Sequence, residues 1–225
     1  MNFFGRLVLI LLIFFINSCS NKTIKKSTIK ERSLDAQVLE AYEEGKKSLE
    51  EGDVLFAAKK FNEAEILFPQ SDWAPKAALM AAYSYYSQDY YGDAISELER
   101  FIKIYPLNKN LDYAYYLLAL SYYEQIVDEK TDSNSILNSK KYFKFILKEF
   151  PSTDYALDSE FKLDLINDIL ASKEMFVGRY YFKKKKWIAA INRFRTVVDE
   201  YDNTIFVEEA LHRLVEAYYV IGLKD

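Results

Sequence analysis

Four residue types are scarce in this 225-residue chain, with 1 Cys, 1 His, 4 Pro and 6 Gly, and each shortage removes a class of protein. A single Cys (Cys19) and a single His (His212) leave no CxxC redox pair, no HExxH helix and no Cys/His zinc cluster. A Ser-His-Asp triad would have only His212 to draw on, and His212 stands beside Arg213 with no nucleophile in company. The glycines never cluster into GxGxxG or GxxxxGK, so neither dinucleotide nor P-loop chemistry is encoded. So little Gly and Pro is also a poor supply for a β-sandwich or barrel, which turns every ~8–12 residues. Abundance lies elsewhere: 50% of the residues are hydrophobic, and 19 Tyr, 16 Phe and 2 Trp are present. That is too apolar for intrinsic disorder and ample for one continuous core. The expectation is an all-α, aromatic-rich binding protein that is not an enzyme and holds no metal or other cofactor.

Residues 1–19 read MNFFGRLVLILLIFFINSC. Arg6 and the amino terminus give a short positive start, and Leu7 to Ile16 is an unbroken apolar stretch. As a helix such a stretch covers ~15 Å, about half a bilayer core, so it reads as the apolar part of a secretory signal over 1–18. Ser18 precedes Cys19 and Ile16 stands three residues before it. This arrangement resembles the lipobox of bacterial lipoproteins, with Asn17 where a small residue is usual. The resemblance implies that Cys19 becomes the first mature residue and carries a covalent lipid. The competing reading is an ordinary signal with an incidental Cys. An exported protein with one Cys forms no internal disulfide, which favours lipidation. Each buried CH₂ of the acyl chains would contribute about 0.8 kcal/mol to the membrane anchor. Ser20, where lipoproteins kept at the inner membrane carry Asp, implies the outer membrane and its periplasmic face. Residues 19–34 then form the lipidated Cys and a tether, locally basic through Lys22, Lys25, Lys26, Lys30 and Arg32. The signal holds one basic residue and no acid, so the remainder is more acidic than the whole chain at −4. That argues against nucleic acid as a partner.

Three of the four prolines close the same kind of segment. AEILFP, FIKIYP and ILKEFP end at Pro69, Pro106 and Pro151, and VVDEYD ends at Asp202. Aligned on these ends, Ala57, Phe61 and Ala64 fall in register with Ala94, Leu98 and Phe101 and with Ala190, Phe194 and Val197. Upstream, Gly45, Ala82 and Gly178 share one place. This is the tetratricopeptide pattern of paired helices A and B. Small residues let the two helices approach, and large ones fill the space at i, i+3, i+4 and i+7. Proline lacks a backbone donor and stops helix B. The third copy carries an insertion, roughly Gln125 to Asn138, and the fourth has a lengthened helix A. Nine helices are expected, at about 35–51, 53–68, 72–88, 90–105, 110–127, 135–150, 154–184, 187–201 and 204–222. They group into repeats of about 38–71, 75–108, 112–153, 154–203 and 204–222, stacked as one superhelical solenoid over 35–225. Such arrays are scaffolds with an extended concave surface.

In these repeats helix A supplies most of the concave face. The equivalent positions here are Tyr42, then Tyr83 and Tyr86, then Tyr113, Tyr116 and Tyr123. The fourth repeat offers Met175, Arg179, Phe182 and Lys183 instead. Tyrosine combines large contact area with a hydrogen-bonding tip at low entropic cost, which suits an extended peptide. The competing reading is that these rings pack between helices. The run Lys183–Lys186 reads as a solvated turn, and carboxylates such as Glu43/Glu44 and Glu208/Glu209 as ordinary surface pairs.

Longer stretches are more specific than the repeat. FIKIYPLNKNLDYAYYLLALSYYEQ carries Pro106, Asn110, Asp112 and Tyr113, and the segment from ILKEFP to VVDEY carries Ala171, Glu174, Tyr180, Tyr181, Trp187, Ala189, Asn192 and Arg193. With EEALHRLVEAYYVIGL they resemble the BamD family, the tetratricopeptide lipoproteins of the outer-membrane β-barrel assembly machinery, over nearly the whole mature chain. The resemblance implies a subunit that binds the barrel-forming subunit through its POTRA domains, together with other assembly lipoproteins. It also implies that the N-terminal repeats meet the targeting segment of unfolded outer-membrane proteins. The C-terminal repeats are the implied docking region, with Arg179, Arg193, Arg213 and Glu216 as candidates. The family commonly continues beyond the equivalent of Gly222–Asp225, so Leu211, Leu214 and Tyr218 lack a sequence-encoded partner. Either another protein covers that edge or the sequence is an incomplete copy. The alternative function is a tetratricopeptide lipoprotein of another envelope complex, such as a pilotin for secretin or pilus assembly. An enzyme acting on cell-wall glycan would need a paired acid in a cleft, and no motif supplies one.

Overall fold

The computed structural model describes residues 33–127 and 133–222, and every regular element within them is a helix. In order these are α1 (Leu34–Glu50), α2 (Val54–Leu67), α3 (Trp73–Tyr86), α4 (Tyr91–Ile104), α5 (Leu111–Tyr123), α6 (Ser133–Glu149), α7 (Asp154–Lys183), α8 (Trp187–Glu200) and α9 (Val207–Val220). All nine expected helices are thus present among the described residues. The largest difference in bounds is at α5, expected to reach residue 127 and ending at Tyr123. There the Gln125 side chain donates to the Ser121 carbonyl at 2.7 Å and occupies an acceptor at the helix end. The signal segment, Cys19 and the tether through residue 32 lie outside the described residues. No helix among the described residues is long and apolar enough to cross a membrane.

Each helix packs chiefly on the helices before and after it, and α1 also touches α3, α3 touches α5, and α5 touches α7. The odd-numbered helices therefore stand side by side along one wall and the even-numbered helices back them, as in an all-α solenoid of nearest-neighbour contacts. The core repeats with the sequence. Phe61, Phe143 and Phe194 are fully buried on α2, α6 and α8, and Leu98 with Phe101 does the same work on α4. Opposite two of these rings the facing helix carries glycine. A Cβ at Gly45 would stand 2.9 Å from the Phe61 ring, and one at Gly178 would stand 2.5 Å from Phe194 Cε1. Both are closer than real contacts allow, so glycine is what lets helix A meet the ring. The third repeat departs: Ser139 stands where the others use alanine, and its hydroxyl donates across to the Ala119 carbonyl at 3.1 Å. A buried hydroxyl satisfied in this way avoids the penalty of an unpaired one.

Two turns recur. From helix A to helix B the chain passes through a left-handed residue, Gly52 (φ 84°), Asp89 (φ 65°) or Lys185 (φ 58°). The next residue's N–H then reaches back, Asp53 to Ser48, Tyr90 to Tyr85 and Lys186 to Tyr181, which closes the helix end. The run Lys183–Lys186 is this turn, and Lys184 to Lys186 are exposed. From helix B to the next helix A, the carbonyl of an aromatic (Phe68, Tyr105, Phe150, Tyr201) accepts from the N–H of Ser71, Asn108, Thr153 or Thr204, at 3.0–3.2 Å. Proline follows that aromatic in three cases, where its missing N–H and fixed φ forbid further helix.

On the even-numbered side, Glu65 of α2 is buried and takes both guanidinium nitrogens of Arg100 on α4, at 2.9 and 2.7 Å. The Tyr105 hydroxyl donates to the same carboxylate at 2.7 Å. Three charge-assisted bonds satisfy a carboxylate that would be costly to bury unpaired.

Candidate functional site

The first three odd-numbered helices enclose a cavity of about 540 Å³ lined by Tyr42 of α1, Lys76, Leu79, Met80 and Tyr83 of α3, and Lys109, Asn110 and Tyr113 at the start of α5. The stripe on α3 follows from its register: Lys76, Leu79, Met80 and Tyr83 are spaced i, i+3, i+4, i+7 and share one helix face. Alanines at 74, 77, 78, 81 and 82 are fully buried on the other faces, which draws α3 close to its neighbours. The Tyr42 ring is fixed from below, 5.3 Å from Phe61 and 5.1 Å from Trp73. Tyr83 is 37% exposed and is the most accessible of the three rings.

Burial sets the protonation of this wall. It raises the pKa of the Tyr113 hydroxyl well above its ordinary value, with Tyr83, Tyr155 and Tyr86 adding to the effect. Burial likewise raises Tyr42, with Lys46 opposing and Glu43 reinforcing. Both hydroxyls therefore stay protonated at neutral pH and are available as donors.

The other three tyrosines do not line this cavity. Tyr86, Tyr116 and Tyr123 are half-buried against the core around Phe143 and Ile166. The Tyr116 hydroxyl donates to Asp158 at 2.6 Å and its ring stacks on Tyr155 at 5.0 Å. Tyr86 packs 5.8 Å from Tyr91, and Lys162 lies over the Tyr123 ring at 4.5 Å. In the fourth repeat Met175, read as a concave-face residue, is fully buried. It stands three residues before Gly178 and so shares the inward face that meets α8.

The C-terminal repeats bring opposite charges together. Arg179 of α7 pairs with Glu209 of α9 at 2.9 Å, and Arg193 of α8 pairs with Glu174 of α7 at 3.0 Å. Arg213 pairs with Glu216 at 2.9 Å and lies over the Phe182 ring at 5.7 Å. Exposed His212 sits 3.4 Å from the same Glu216. Of the last-helix residues expected to lack partners, Leu214 packs against the core and Tyr218 accepts from Arg195 at 2.7 Å, because α9 lies along α8. Leu211 is exposed.

Comparison with known proteins decides the family. The profile described as "YfiO: Outer membrane lipoprotein" matches residues 34–225. The chain belongs to the YfiO family. Among curated relatives, "Outer membrane protein assembly factor BamD" of Rickettsia prowazekii (strain Madrid E) is 42% identical over 89% of this chain and 80% of its own. The protein of the same name from Caulobacter vibrioides is 38% identical over 93% of this chain and 68% of its own. The one from Neisseria meningitidis serogroup A is 33% identical over 84% and 74%. These relatives are named as assembly factors, not enzymes. A solved structure, "TPR2AB-domain:pHSP90-complex of yeast Sti1", aligns at a TM-score of 0.48 with 16% identity over 84% of this chain and 72% of that one.

The two YfiO-like sequence segments gather at the two sites just described. Asn110 and Tyr113 line the cavity, and the Asp112 carboxylate accepts from the Tyr113 N–H at 2.8 Å. Glu174 and Arg193 form the α7–α8 pair, and Tyr181, Ala189, Asn192 and Arg193 line a second hollow of about 270 Å³. Ala171 is fully buried, and Trp187 meets Phe182 edge-on at 5.0 Å. The reading of the sequence missed Lys76, Leu79, Met80 and Lys109. The first three were visible as one helical stripe with Tyr83, whereas Lys109 lies on a loop, where periodicity carries no information.

Proposed function

We propose that the chain is a non-catalytic subunit of the machinery that assembles β-barrel proteins into the outer membrane. The observation that carries this reading is the high identity, along nearly the whole described chain, to proteins named as outer membrane protein assembly factors. In this reading the lipid on Cys19 holds the chain at the periplasmic face of the outer membrane, and the solenoid presents two surfaces. The tyrosine-lined wall of α1, α3 and α5 receives the targeting segment of unfolded outer-membrane proteins. Its support is an open, largely apolar hollow of about 540 Å³ edged by tyrosine rings. The region of α7–α9 that carries Arg179, Arg193, Arg213 and Glu216 docks the POTRA domains of the barrel-forming subunit and other assembly lipoproteins. Its support is a cluster of oriented charges beside a hollow.

Co-purification of the chain with POTRA domains of the barrel-forming subunit tests the assignment, with retention through a salt wash as the expected result. Recovery of a secretin in place of that subunit from envelope extracts would overturn it. Replacing Tyr83 and Tyr113 together with Ala tests the groove: affinity for a peptide from the end of an outer-membrane protein should fall by about tenfold or more, by loss of two ring contacts.

A further inference from the structure

Helix α6 carries a charge pattern that packing within its repeat does not need. Its sequence SNSILNSKKYFKFILKE holds four lysines and one acid, Glu149, in a chain whose net charge is −4. Lys141, Lys144 and Lys148 are exposed and spaced i, i+3 and i+7, so they stand in one row along the outward face. Lys148 pairs with Glu149 at 2.8 Å, whereas Lys141 and Lys144 have no ion pair among the described residues. Lys140, partly buried with its ammonium 5.1 Å over the Tyr201 ring, is held below its ordinary pKa by burial and by the neighbouring Lys144, with Glu200 opposing. Beside the row lies an aromatic floor. Tyr115 of α5 stands 4.4 Å from Phe145 and 6.2 Å from both Tyr142 and Phe150, and Tyr142 stacks on Tyr122 at 5.9 Å. Tyr115, Tyr142 and Phe145 form with the three lysines a hollow of about 400 Å³ whose lining has no acid. Glu99 of α4 stands near it and accepts from the Tyr122 hydroxyl at 3.3 Å. Burial raises the pKa of Tyr115 and of Tyr142, with Glu99 adding at Tyr142, so both hydroxyls stay protonated.

Resting on the reading of Cys19 as the lipid attachment point, we propose that this face of α6 is a second membrane contact and lies against the headgroups of anionic phospholipids. The lysines meet phosphate oxygens, and Tyr115 and Tyr142 reach headgroup level, where rings with an apolar body and a polar tip are favoured. Three observations select this occupant. Lys141 to Lys148 spans about 10 Å of helix, too far for one phosphate to bridge, whereas a bilayer presents many side by side. Lysine stems run over apolar rings while the ammonium groups reach outward, which is how such side chains sit at a membrane surface. The sequence ahead of α1 is basic as well, through Lys22, Lys25, Lys26, Lys30 and Arg32, so tether and α6 are drawn to the same negative surface. The stretch from Cys19 to Leu34 spans at most about 50 Å when extended. Such a reach does not by itself fix which face of the solenoid meets the bilayer; the α6 face does. With α6 on the headgroups, the odd-numbered wall and its tyrosine-lined hollow turn away from the membrane.

Amine-reactive footprinting of the full-length chain purified from envelopes tests the proposal, in vesicles of phosphatidylcholine alone or with about a third phosphatidylglycerol. Labelling of Lys141 and Lys144 should slow about fivefold in the anionic vesicles, while exposed Lys76 on the odd-numbered wall keeps its rate. Lys141→Gln with Lys144→Gln should abolish the vesicle-dependent protection of Lys148 and leave thermal stability unchanged, because both side chains are exposed and without an ion pair. Equal labelling in the two vesicles, by a chain that floats with both, would overturn the headgroup contact and leave the lipid anchor standing. Flotation with neither would overturn both. Slowing of Lys76 as large as that of Lys141 would overturn the assignment to α6. Equal protection by soluble glycerol phosphate would make the ligand a free phosphate and overturn the membrane assignment. Protection seen in envelopes but in neither vesicle would give this face to an acidic protein instead.

Discussion

The two halves of the solenoid are built with the same device and finished differently. In the first repeat Gly45 admits Phe61, and in the fourth Gly178 admits Phe194. The buried interiors are thus near copies. The outward positions are not. Around α1, α3 and α5 the charged residues at the cavity are lysines with no ion pair among the described residues, Lys76 lying over the Trp73 ring. Around α7, α8 and α9, Arg179, Arg193 and Arg213 already hold carboxylates at 2.9–3.0 Å. The difference teaches that a repeat array separates stability from recognition. Neighbour-to-neighbour packing constrains a few positions per repeat and leaves the rest free to vary. A cation without a partner beside apolar surface gains from a ligand that brings a carboxylate. A satisfied pair gains only if a partner matches charges that are already oriented.

The largest test of this comparison is on the shared interior. Phe61→Ala and Phe194→Ala should each destabilise by about 3–5 kcal/mol, since each ring is fully buried and the glycine opposite cannot fill the void. Denaturant unfolding measures both, and values differing by more than about 2 kcal/mol would break the claim that the halves are packed alike. The second test is pH. Burial raises the tyrosines Tyr42, Tyr86, Tyr113 and Tyr116 above their ordinary value, and burial with Glu99 pushes Tyr122 up to about 12. A raised folded value means the unfolded chain releases its proton first, near pH 10. Stability is therefore full below that pH and is lost as pH climbs toward 12. These rings stand on α1, α3 and α5, and Tyr201, also raised by burial, caps α8, so hydrogen exchange at pH 11 should open those helices before α9. Simultaneous opening along the chain would show that the solenoid unfolds as one unit at high pH. The smallest effect concerns the paired charges. Arg179→Ala and Arg213→Ala should each cost about 1 kcal/mol or less in stability, because the side chains are 40% and 34% exposed. Both should still weaken retention on POTRA domains. A stability loss above about 2 kcal/mol would make these pairs structural instead.

Much of the fold was legible because its determinants are local. Pro69, Pro106 and Pro151 stop three helices without reference to anything distant, and the spacing of alanine, glycine and phenylalanine encodes which faces meet. The early end of α5 was not legible: the Ile126 N–H turns back to the Tyr123 carbonyl and the Gln125 side chain takes the Ser121 carbonyl, and no local pattern announces either bond. Of the six tyrosines placed on the concave face, Tyr42, Tyr83 and Tyr113 line the cavity and Tyr86, Tyr116 and Tyr123 do not, although all but Tyr83 also pack against buried clusters. Helical period sorts residues into faces but cannot distinguish a ring at a wall from a ring between walls. Asp158 anchors Tyr116 from a helix 42 residues onward, and no local pattern announces that partner. Met175 went astray for the same reason: its face is inward only because α8 is there.

By itself the sequence determined the class, the repeat register and the helix ends, because steric size, missing donors and 3.6-residue periodicity act within a few turns of the chain. Its specific segments also pointed to the family. Only the tertiary structure decided that three tyrosines and two lysines from helices α1, α3 and the start of α5 face one cavity, and that the arginines of α7–α9 meet carboxylates. Those outcomes depend on how successive helix pairs are set against one another. A cavity wall belongs to several helices at once, and its shape and charge exist only after they have packed.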